Sequence, residues 1–349
     1  MKNCYINGVG SVTIQNPDFD VLQPQSLLLQ NINKAQQPSY KELIAPAMSR
    51  RMAKGVKMSI YAANKAMLEA RMVDPQAIVV GTGLGCIEDS EKFLDAIIEN
   101  DEQYLTPTAF IQSTHNTVAA QIALQLQCKA YNFTYVNGAN SFENALFDAL
   151  MQLKHFNKET VLVGGVDEIA PYTFAMFEMV GKVKSEHDAI DFKHPETNGI
   201  PLAEGANFFA LSDKISKNTY AEIADVWLFN EFKNDDRTTI TEFLSKNHLT
   251  IPEIDVVVFG ANADASQQGF YDKMQEIFVA NPQAYYQHLS GSYDTASAFG
   301  LRVAAEMIFR KKYPEHLKYN DLTPKKIETI LLINQNKSTD FSFVLLRKC

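Results

Sequence analysis

Short apolar runs alternate with amphipathic stretches along most of the chain. AIVVG at 77–81 is the kind of continuous apolar run that forms a strand buried on both faces of a parallel sheet. TVLVGG at 160–165 and DVVVFG at 255–260 predict further strands. Because segments with helical spacing separate these runs, the sequence predicts an α/β fold whose mainly parallel sheets are covered by helices on both faces.

Helices and terminal strands follow from the same periodicity. We expect helices over 49–72, 89–98, 116–126, 240–246, 270–278 and 295–310. Residues 170–200 show no regular pattern and are expected to lack regular structure. The last two strands, 326–334 and 341–347, are expected to form an antiparallel hairpin at the edge of a sheet.

One stretch, Tyr131 to Phe156, combines a strand, a tight turn and a helix. The run 131–136 has β character, the turn 137–140 is built of small residues, and apolar side chains then recur at helical spacing as far as Phe156. Ser141 or Asn140 is a suitable N-cap. Such a nucleophile elbow presents one side chain where the helix dipole favours an anion. The residue at its apex is Ala139, which carries no reactive group.

The length and net charge of the chain limit the classes of protein to which it can belong. A chain of 349 residues is longer than a single hydrophobic core usually accommodates. Its length therefore predicts two domains or two packed halves. The polar segment 214–218 places the division between residues 1–215 and 216–349. A net charge of −9 argues against nucleic acid or acidic membranes as partners. An acidic partner would need a basic patch, for which the candidates are Arg50, Arg51, Lys54 and Lys57.

The sequence contains no recognisable metal, cofactor or membrane signal. Its four cysteines are widely scattered and its seven histidines make no HxxxH pattern, so we expect reduced thiols in a cytoplasmic protein without a metal site. A lone GxG at 83–85 lacks the third glycine and acidic partner of a dinucleotide-binding loop, so no cofactor is expected. No signal peptide or membrane-spanning apolar run is visible.

Several segments resemble β-ketoacyl synthases. Gly138-Ala139-Asn140-Ser141 is similar to the elbow of that family, in which a cysteine takes the place of Ala139. The other similar segments are RRM at 50–52, TPTAFIQSTHN at 106–116, TVLVGGVDE at 160–168 and AEGANFFALSD at 203–213. The resemblance implies a thiolase-like five-layer αβαβα fold with two similar βαβαβαββ halves, dimerised through the N-terminal half.

The resemblance also identifies the positions at which the family keeps its chemistry. The acylated cysteine falls on Ala139, the first histidine on Ala261 or Asn262, the lysine on Gln287 and the second histidine on Ser292. The glycine-rich final turn of the family falls on residues 334–340, which contain no glycine. Since such groups act as a unit, their joint loss implies a subunit that is non-catalytic, at least on its own.

Chain-length factors are ketosynthase-like subunits of this kind. The segments STHN at 113–116 and GSYDTASAF at 291–299 are most similar to the partners of ketosynthases in aryl-polyene and flexirubin-type pathways. This resemblance implies a heterodimer with an active ketosynthase, which an acyl carrier protein reaches through the complex. Four bulky residues could line an acyl tunnel or an interface, or could simply be core: Phe110, Phe133, Tyr135 and Met176.

Two other hypotheses stay open. The chain could be an active condensing or acyl-transferring enzyme of the same fold that uses Ser141, His115 or Cys128 as an unusual reactive group. It could also be a homodimeric acyl-binding protein without a partner enzyme. His288, next to the position of the lost lysine, is expected to be structural.

Overall fold

A computed structural model describes residues 2–24, 29–231, 235–336 and 339–349. Its strands are β1 (Tyr5–Val12), β2 (Ile32–Asn33), β3 (Ala77–Gly81), β4 (Tyr131–Tyr135), β5 (Thr160–Asp167), β6 (Leu202–Ala203), β7 (Gly205–Ser212), β8 (Ala221–Phe229), β9 (Val256–Phe259), β10 (Gln283–Tyr285), β11 (Thr329–Asn336) and β12 (Asp340–Arg347).

The helices alternate with these strands. They are α1 (Pro46–Ser49), α2 (Lys54–Ala70), α3 (Ile87–Glu99), α4 (Pro107–Ser113), α5 (Thr117–Gln125), α6 (Ser141–Lys154), α7 (Pro171–Met179), α8 (Asp236–Lys246), α9 (Ala265–Ile277), α10 (Gln287–Ser290) and α11 (Ser297–Arg310). The α/β class expected from the sequence is therefore confirmed.

The ten main strands form two groups with the same order and the same directions. The first group runs β4-β3-β5-β7-β1 and the second β10-β9-β11-β12-β8. In each group the first three strands are parallel and the last two contacts are antiparallel. The groups meet where β1 and β8 pair at Tyr5–Glu222 and Ile6–Ala221, so the ten strands are continuous. The division predicted at residue 215 falls in the loop that leads into β8.

Apolar side chains lie in three main clusters that separate the layers. Helices α2 and α5 pack on the outer face of the first strand group. Helices α6 and α11 contribute to a central cluster together with both strand groups. Helices α8 and α9 cover the outer face of the second group. The resulting order of helix, sheet, helix, sheet and helix is the five-layer thiolase-like fold that the sequence predicted.

Several helix ends differ from the sequence prediction because contacts from distant residues fix them. The helix expected from residue 49 begins at Lys54, where the N–H of Gly55 donates to Glu168 Oε2 at 2.6 Å. The stretch expected to be irregular contains α7, whose first N–H groups donate to the buried carboxylate of Glu91. Phe156, expected on the buried face of α6, lies beyond the helix end and is exposed.

The sequence predicted the antiparallel pairing of the terminal hairpin correctly, but its position in the sheet wrongly. β11 and β12 are antiparallel, as expected. They lie inside the sheet, between β9 and β8, rather than at its edge. Residues 337 and 338 of the predicted final turn lie outside the described residues.

Helix α2 lies so close to β1 that the strand needs glycine at the contact. A Cβ at Gly10 would lie 2.0 Å from the backbone oxygen of Ala62. In contrast, a Cβ at Gly269 on α9 would meet no atom within 4 Å. The two glycines therefore differ in what an added methyl group must displace.

We expect Gly10→Ala to lower the free energy of unfolding by about 1–3 kcal/mol or more, because the backbone of α2 must move. Gly269→Ala should instead raise it by about 0.5–1 kcal/mol through helix propensity. Urea unfolding of both variants and the parent checks this. Equal stability of Gly10→Ala and the parent would contradict the close contact.

Candidate functional site

The elbow between β4 and α6 opens into a cavity of about 790 Å³ that both strand groups enclose. Four of the positions inferred from the sequence line this cavity together: Ala139, Asn262, Gln287 and Ser292. Ala261, the alternative for the first histidine, is fully buried in the apolar cluster beneath α8 and α9. Residues from distant parts of the sequence thus converge on the elbow, as an active site of this architecture requires.

Local hydrogen bonds fix the shape of the elbow. Gly138 has φ of +51°, a left-handed conformation that favours glycine. The buried hydroxyl of Ser141 accepts from the N–H of Asn137 at 2.8 Å and donates to the carbonyl of Gly138 at 2.6 Å. Ser141 therefore closes the turn and is not among the cavity-lining residues. This placement favours a structural role for its hydroxyl over that of a nucleophile.

Gln287 and Ser292, the positions that the sequence resemblance assigns to the family's lysine and second histidine, are bonded to each other. The Ser292 hydroxyl donates a short hydrogen bond to Gln287 Oε1. Gln287 Nε2 in turn donates to the carbonyl of Gly260 at 3.0 Å. Amides and hydroxyls such as these do not exchange protons near neutral pH, so the pair cannot act as a general base or hold an enolate by charge.

A buried carboxyl group, Asp167 at the end of β5, borders the same cavity. Its Oδ1 accepts from the N–H of Gly83 at 2.8 Å, and its Oδ2 accepts from the N–H and hydroxyl of Thr295 at 2.9 and 2.8 Å. Burial and then the nearby charge of Asp294 raise the pKa of Asp167 to about 7, although these hydrogen bonds oppose the shift. Sequence reasoning noted Asp167 only as the end of a strand.

A second buried carboxyl group, Glu143 on α6, lies behind the cavity wall. Its Oε1 accepts from the Ser342 hydroxyl at 3.0 Å. Burial raises the pKa of Glu143 to about 7, against the opposing effect of the Ser297 and Ser342 hydroxyls. The sequence analysis missed this residue because its spacing on α6 is that of an ordinary core position.

A family model of the β-ketoacyl synthase N-terminal domain matches residues 24–189, which include the elbow and Asp167. This part of the chain is therefore similar to the N-terminal domain of β-ketoacyl synthases. The match confirms the family resemblance inferred from the elbow and the segments around it.

Solved structures of ketosynthases share the fold over the whole chain. The ishigamide ketosynthase/chain length factor superposes with a TM-score of 0.80 at 14% identity, over 100% of this chain and 99% of that chain. A Xenorhabdus doucetiae ketosynthase (ApeO) in complex with its chain length factor (ApeC) gives 0.77 at 14% identity, over 100% and 98%. A type II polyketide synthase acyl-carrier protein in complex with its ketosynthase gives 0.74 at 14% identity, over 100% and 99%.

The other reactive side chains considered from the sequence do not line this cavity. His115 is exposed beside Gly85, and the Cys128 thiol lies 3.3 Å from the carbonyl of Pro75 beyond the end of α5. His288 packs on the Tyr285 ring with a centroid separation of 4.1 Å, and burial lowers its pKa to about 3. It borders a separate cavity of about 830 Å³.

The four bulky residues predicted for a tunnel or interface lie outside the cavity. Phe110, Phe133 and Met176 are exposed by 54%, 45% and 57%, and Tyr135 is half-buried. On β4, at the edge of the sheet, the ring centroid of Phe133 is 6.2 Å from that of Tyr131 and 4.9 Å from that of Tyr135. Their role in a tunnel or interface stays a prediction.

The predicted basic patch is only partly available. Lys54 Nζ lies 2.7 Å from Glu204 and 3.2 Å from Glu88, and it donates to the carbonyl of Ile169 at 3.0 Å. These contacts hold Lys54 in an internal ion network, whereas Arg50 and Arg51 are on the surface.

The described residues were also compared with the requirements of a metal site and of a membrane span. Within the described ranges, no group of three or more His, Cys, Asp and Glu side chains is placed to hold a metal ion. Across the same residues, every helix is too short or too polar to cross a membrane.

A thiol introduced at position 139 tests whether a nucleophile alone makes the cavity catalytic. We expect Ala139→Cys to be alkylated by iodoacetamide at the elbow, where the α6 N-terminus favours a thiolate. It should nevertheless not decarboxylate malonyl-carrier protein, because Asn262, Gln287 and Ser292 supply neither the histidines nor the lysine.

The parent chain is the control for this variant. Peptide mass mapping should show the new adduct only at position 139, because burial raises the pKa of Cys4 to about 12 and also raises that of Cys86. Labelling at Cys128 or Cys349 appears equally in both proteins and does not affect the comparison. Release of carbon dioxide by the variant well above the parent would contradict the prediction.

Proposed function

We propose that this chain is a non-catalytic, chain-length-factor-like subunit that pairs with an active β-ketoacyl-carrier-protein synthase. The observation that carries the proposal is the joint placement of Ala139, Asn262, Gln287 and Ser292 around one cavity. The cavity keeps its architecture, while each position that the family uses for chemistry holds a neutral side chain. The proposed setting is cytoplasmic polyene or polyketide assembly, with aryl-polyene and flexirubin-type pathways as the subclass favoured by the sequence.

An exposed apolar surface supports pairing with a protein of the same fold. We call it the β4 face; it comprises the exposed apolar side chains of the edge strand β4, Tyr131 and Phe133. Helix α3 and the helices it contacts, α4 and α7, carry further exposed apolar side chains: Leu94, Ile98, Phe110, Ile111, Tyr172, Met176 and Met179. An apolar surface beside a free strand edge is a characteristic site of protein association. A second ketosynthase-like chain could add its own edge strand here in a pseudo-two-fold arrangement.

The similar structures give the proposal a precedent. The Xenorhabdus doucetiae ketosynthase is in complex with a chain length factor, and the type II ketosynthase is in complex with an acyl-carrier protein. If the present chain acts in the same way, its partner supplies the cysteine, histidines and lysine. The carrier protein is then recruited through the complex, in keeping with the internal pairing of Lys54.

The first test is co-expression with the ketosynthase encoded nearest to this chain, followed by affinity capture and native mass spectrometry. We expect a one-to-one complex whose condensing activity depends on this chain. Phe133→Glu should abolish the complex, because it buries a charge in the proposed interface. Leu322→Glu, at an exposed apolar residue outside the β4 face, should leave it intact.

Other outcomes separate this proposal from the alternatives. A stable homodimer that ignores the ketosynthase and becomes acylated by carrier protein would support an active enzyme with an unusual nucleophile. A homodimer that binds acyl groups without a covalent adduct would support an acyl-binding protein. Equal complex formation by the Phe133→Glu and Leu322→Glu variants would exclude the β4 face as the interface.

A further prediction concerns product length in the complex. If Phe133 and Met176 close the end of a shared acyl tunnel, Phe133→Ala and Met176→Ala should lengthen the product by removing side-chain volume. Mass spectrometry of the released or carrier-bound chains measures this, with Leu322→Ala as the control. An unchanged chain length in complexes that remain active would contradict a tunnel role for both residues.

A further inference from the structure

Three Asn-Gly pairs occur in the chain, at residues 7–8, 137–138 and 198–199. Asparagine is one of the chemically labile side chains of proteins, because the backbone nitrogen of the next residue can attack its amide carbon. A glycine in the next position leaves that nitrogen unobstructed, since glycine has no Cβ. The three pairs share this chemistry, so any difference between them arises from the structure around each pair.

The first pair is held firmly within the sheet. Asn7 is buried, and its Nδ2 donates to Ser212 Oγ at 2.7 Å and to the carbonyl of Lys214 at 2.9 Å. Its Oδ1 accepts from the hydroxyl of Thr219 at 2.6 Å. Gly8 is itself part of β1. These contacts oppose any rotation of the Asn7 amide toward the Gly8 nitrogen.

The third pair has an exposed asparagine but a restrained glycine. Asn198 is exposed and is one of the residues that line the cavity. Gly199 has φ of +85°, and Ile200 after it is bonded on both sides. The N–H of Ile200 donates to the carbonyl of Lys182 at 3.0 Å, and its carbonyl accepts from the N–H of Lys184 at 3.0 Å. The main chain after Asn198 is therefore fixed, although the asparagine is exposed.

The middle pair, which leads into the elbow, is the least restrained. Asn137 is exposed, and its side-chain amide has no hydrogen-bond partner among the described residues. A Cβ at Gly138 would meet one atom of those residues within 4 Å, Asp340 Oδ2 at 3.8 Å. Because neither the amide nor the glycine is crowded, the side chain of Asn137 can turn toward the Gly138 nitrogen.

We propose that Asn137 is a site of spontaneous deamidation, at which asparagine is converted to aspartate and isoaspartate through a succinimide formed with Gly138. The Gly138 nitrogen forms a bond to Cγ of Asn137, the bond from Cγ to Nδ2 breaks, and ammonia leaves with the proton of the Gly138 N–H. Water then adds to either carbonyl of the succinimide and opens the ring. The reaction needs no oxidant, reductant or enzyme.

The isoaspartate product changes the elbow, because it adds the Cβ of residue 137 to the main chain. Two hydrogen bonds span the altered link. The N–H of Asn137 donates to Ser141 Oγ at 2.8 Å, and the N–H of Asn140 donates to the carbonyl of Asn137 at 3.1 Å. A longer main chain moves these donors and acceptors apart and loosens the turn. This inference goes beyond the proposed pairing and does not rest on it.

Peptide mapping by mass spectrometry tests the site on the purified 349-residue chain, incubated in its folded state at mildly alkaline pH. A sample frozen at the start is the reference. We expect Asn137 to gain one mass unit about tenfold or more faster than Asn7, with Asn198 between them. In urea the three rates should converge, because only the folded contacts distinguish the pairs. Equal rates at Asn137 and Asn7 in the folded chain would overturn the proposal, as would the fastest gain at Asn198.

Two variants assign the isoaspartate to one position. Asn137→Gln keeps an amide but needs a larger ring that forms more slowly, and Asn198→Gln is the matched control. After the same incubation, protein isoaspartyl methyltransferase should label the parent and Asn198→Gln but not Asn137→Gln. The melting temperature should fall during incubation in the two labelled proteins and stay constant in Asn137→Gln. Equal labelling of all three proteins would overturn the assignment to Asn137.

Discussion

The buried carboxyl group of Asp167 holds the two halves of the chain together at the cavity. Its Oδ1 accepts from the turn after β3, and its Oδ2 accepts from Thr295, immediately before α11. A carboxyl group with hydrogen-bond donors on both oxygens tolerates burial that would otherwise be prohibitive. Asp167 thus joins the turn after β3 to the residues that precede α11, both of which border the cavity. It does so without any of the residues that the sequence resemblance assigns to the chemistry of the family.

Other hydrogen bonds that shape the cavity wall likewise involve no charged side chain. The Ser141 hydroxyl closes the elbow, and the Gln287–Ser292 bridge bonds to the carbonyl of Gly260. Each contact satisfies buried polar atoms without involving Ala139. A neutral amide and a hydroxyl at these positions also need no compensating charge, whereas a buried lysine or histidine would.

The sequence predicted those features of the structure that depend on a local pattern of residues, and missed those that depend on contacts between distant residues. Continuous apolar runs such as 77–81 and 160–165 predicted strands correctly, because burial on both faces leaves a local pattern. Helix α7 was missed because its N-terminus is satisfied by Glu91 from another helix, and strand β10 because it has only three residues. The resemblance to a family brought Ala139, Gln287 and Ser292 to one site. The contact between Asp167 and Thr295 was missed, since it joins residues that lie far apart in the sequence.

The competing functions make different demands on the side chains that line the cavity and on those that are exposed at the surface. A catalytic subunit needs its reactive groups in the cavity, and the inferred positions that line the cavity here hold the neutral side chains of Ala139, Asn262, Gln287 and Ser292. A subunit that pairs with another chain needs an exposed apolar surface, and it must remain folded until its partner covers that surface. The β4 face has this character, because Tyr131 and Phe133 are exposed and Tyr135 beside them is half-buried. Exposed apolar side chains beside a free strand edge are characteristic of sites of protein association, and this is the physical ground on which the proposal of pairing rests.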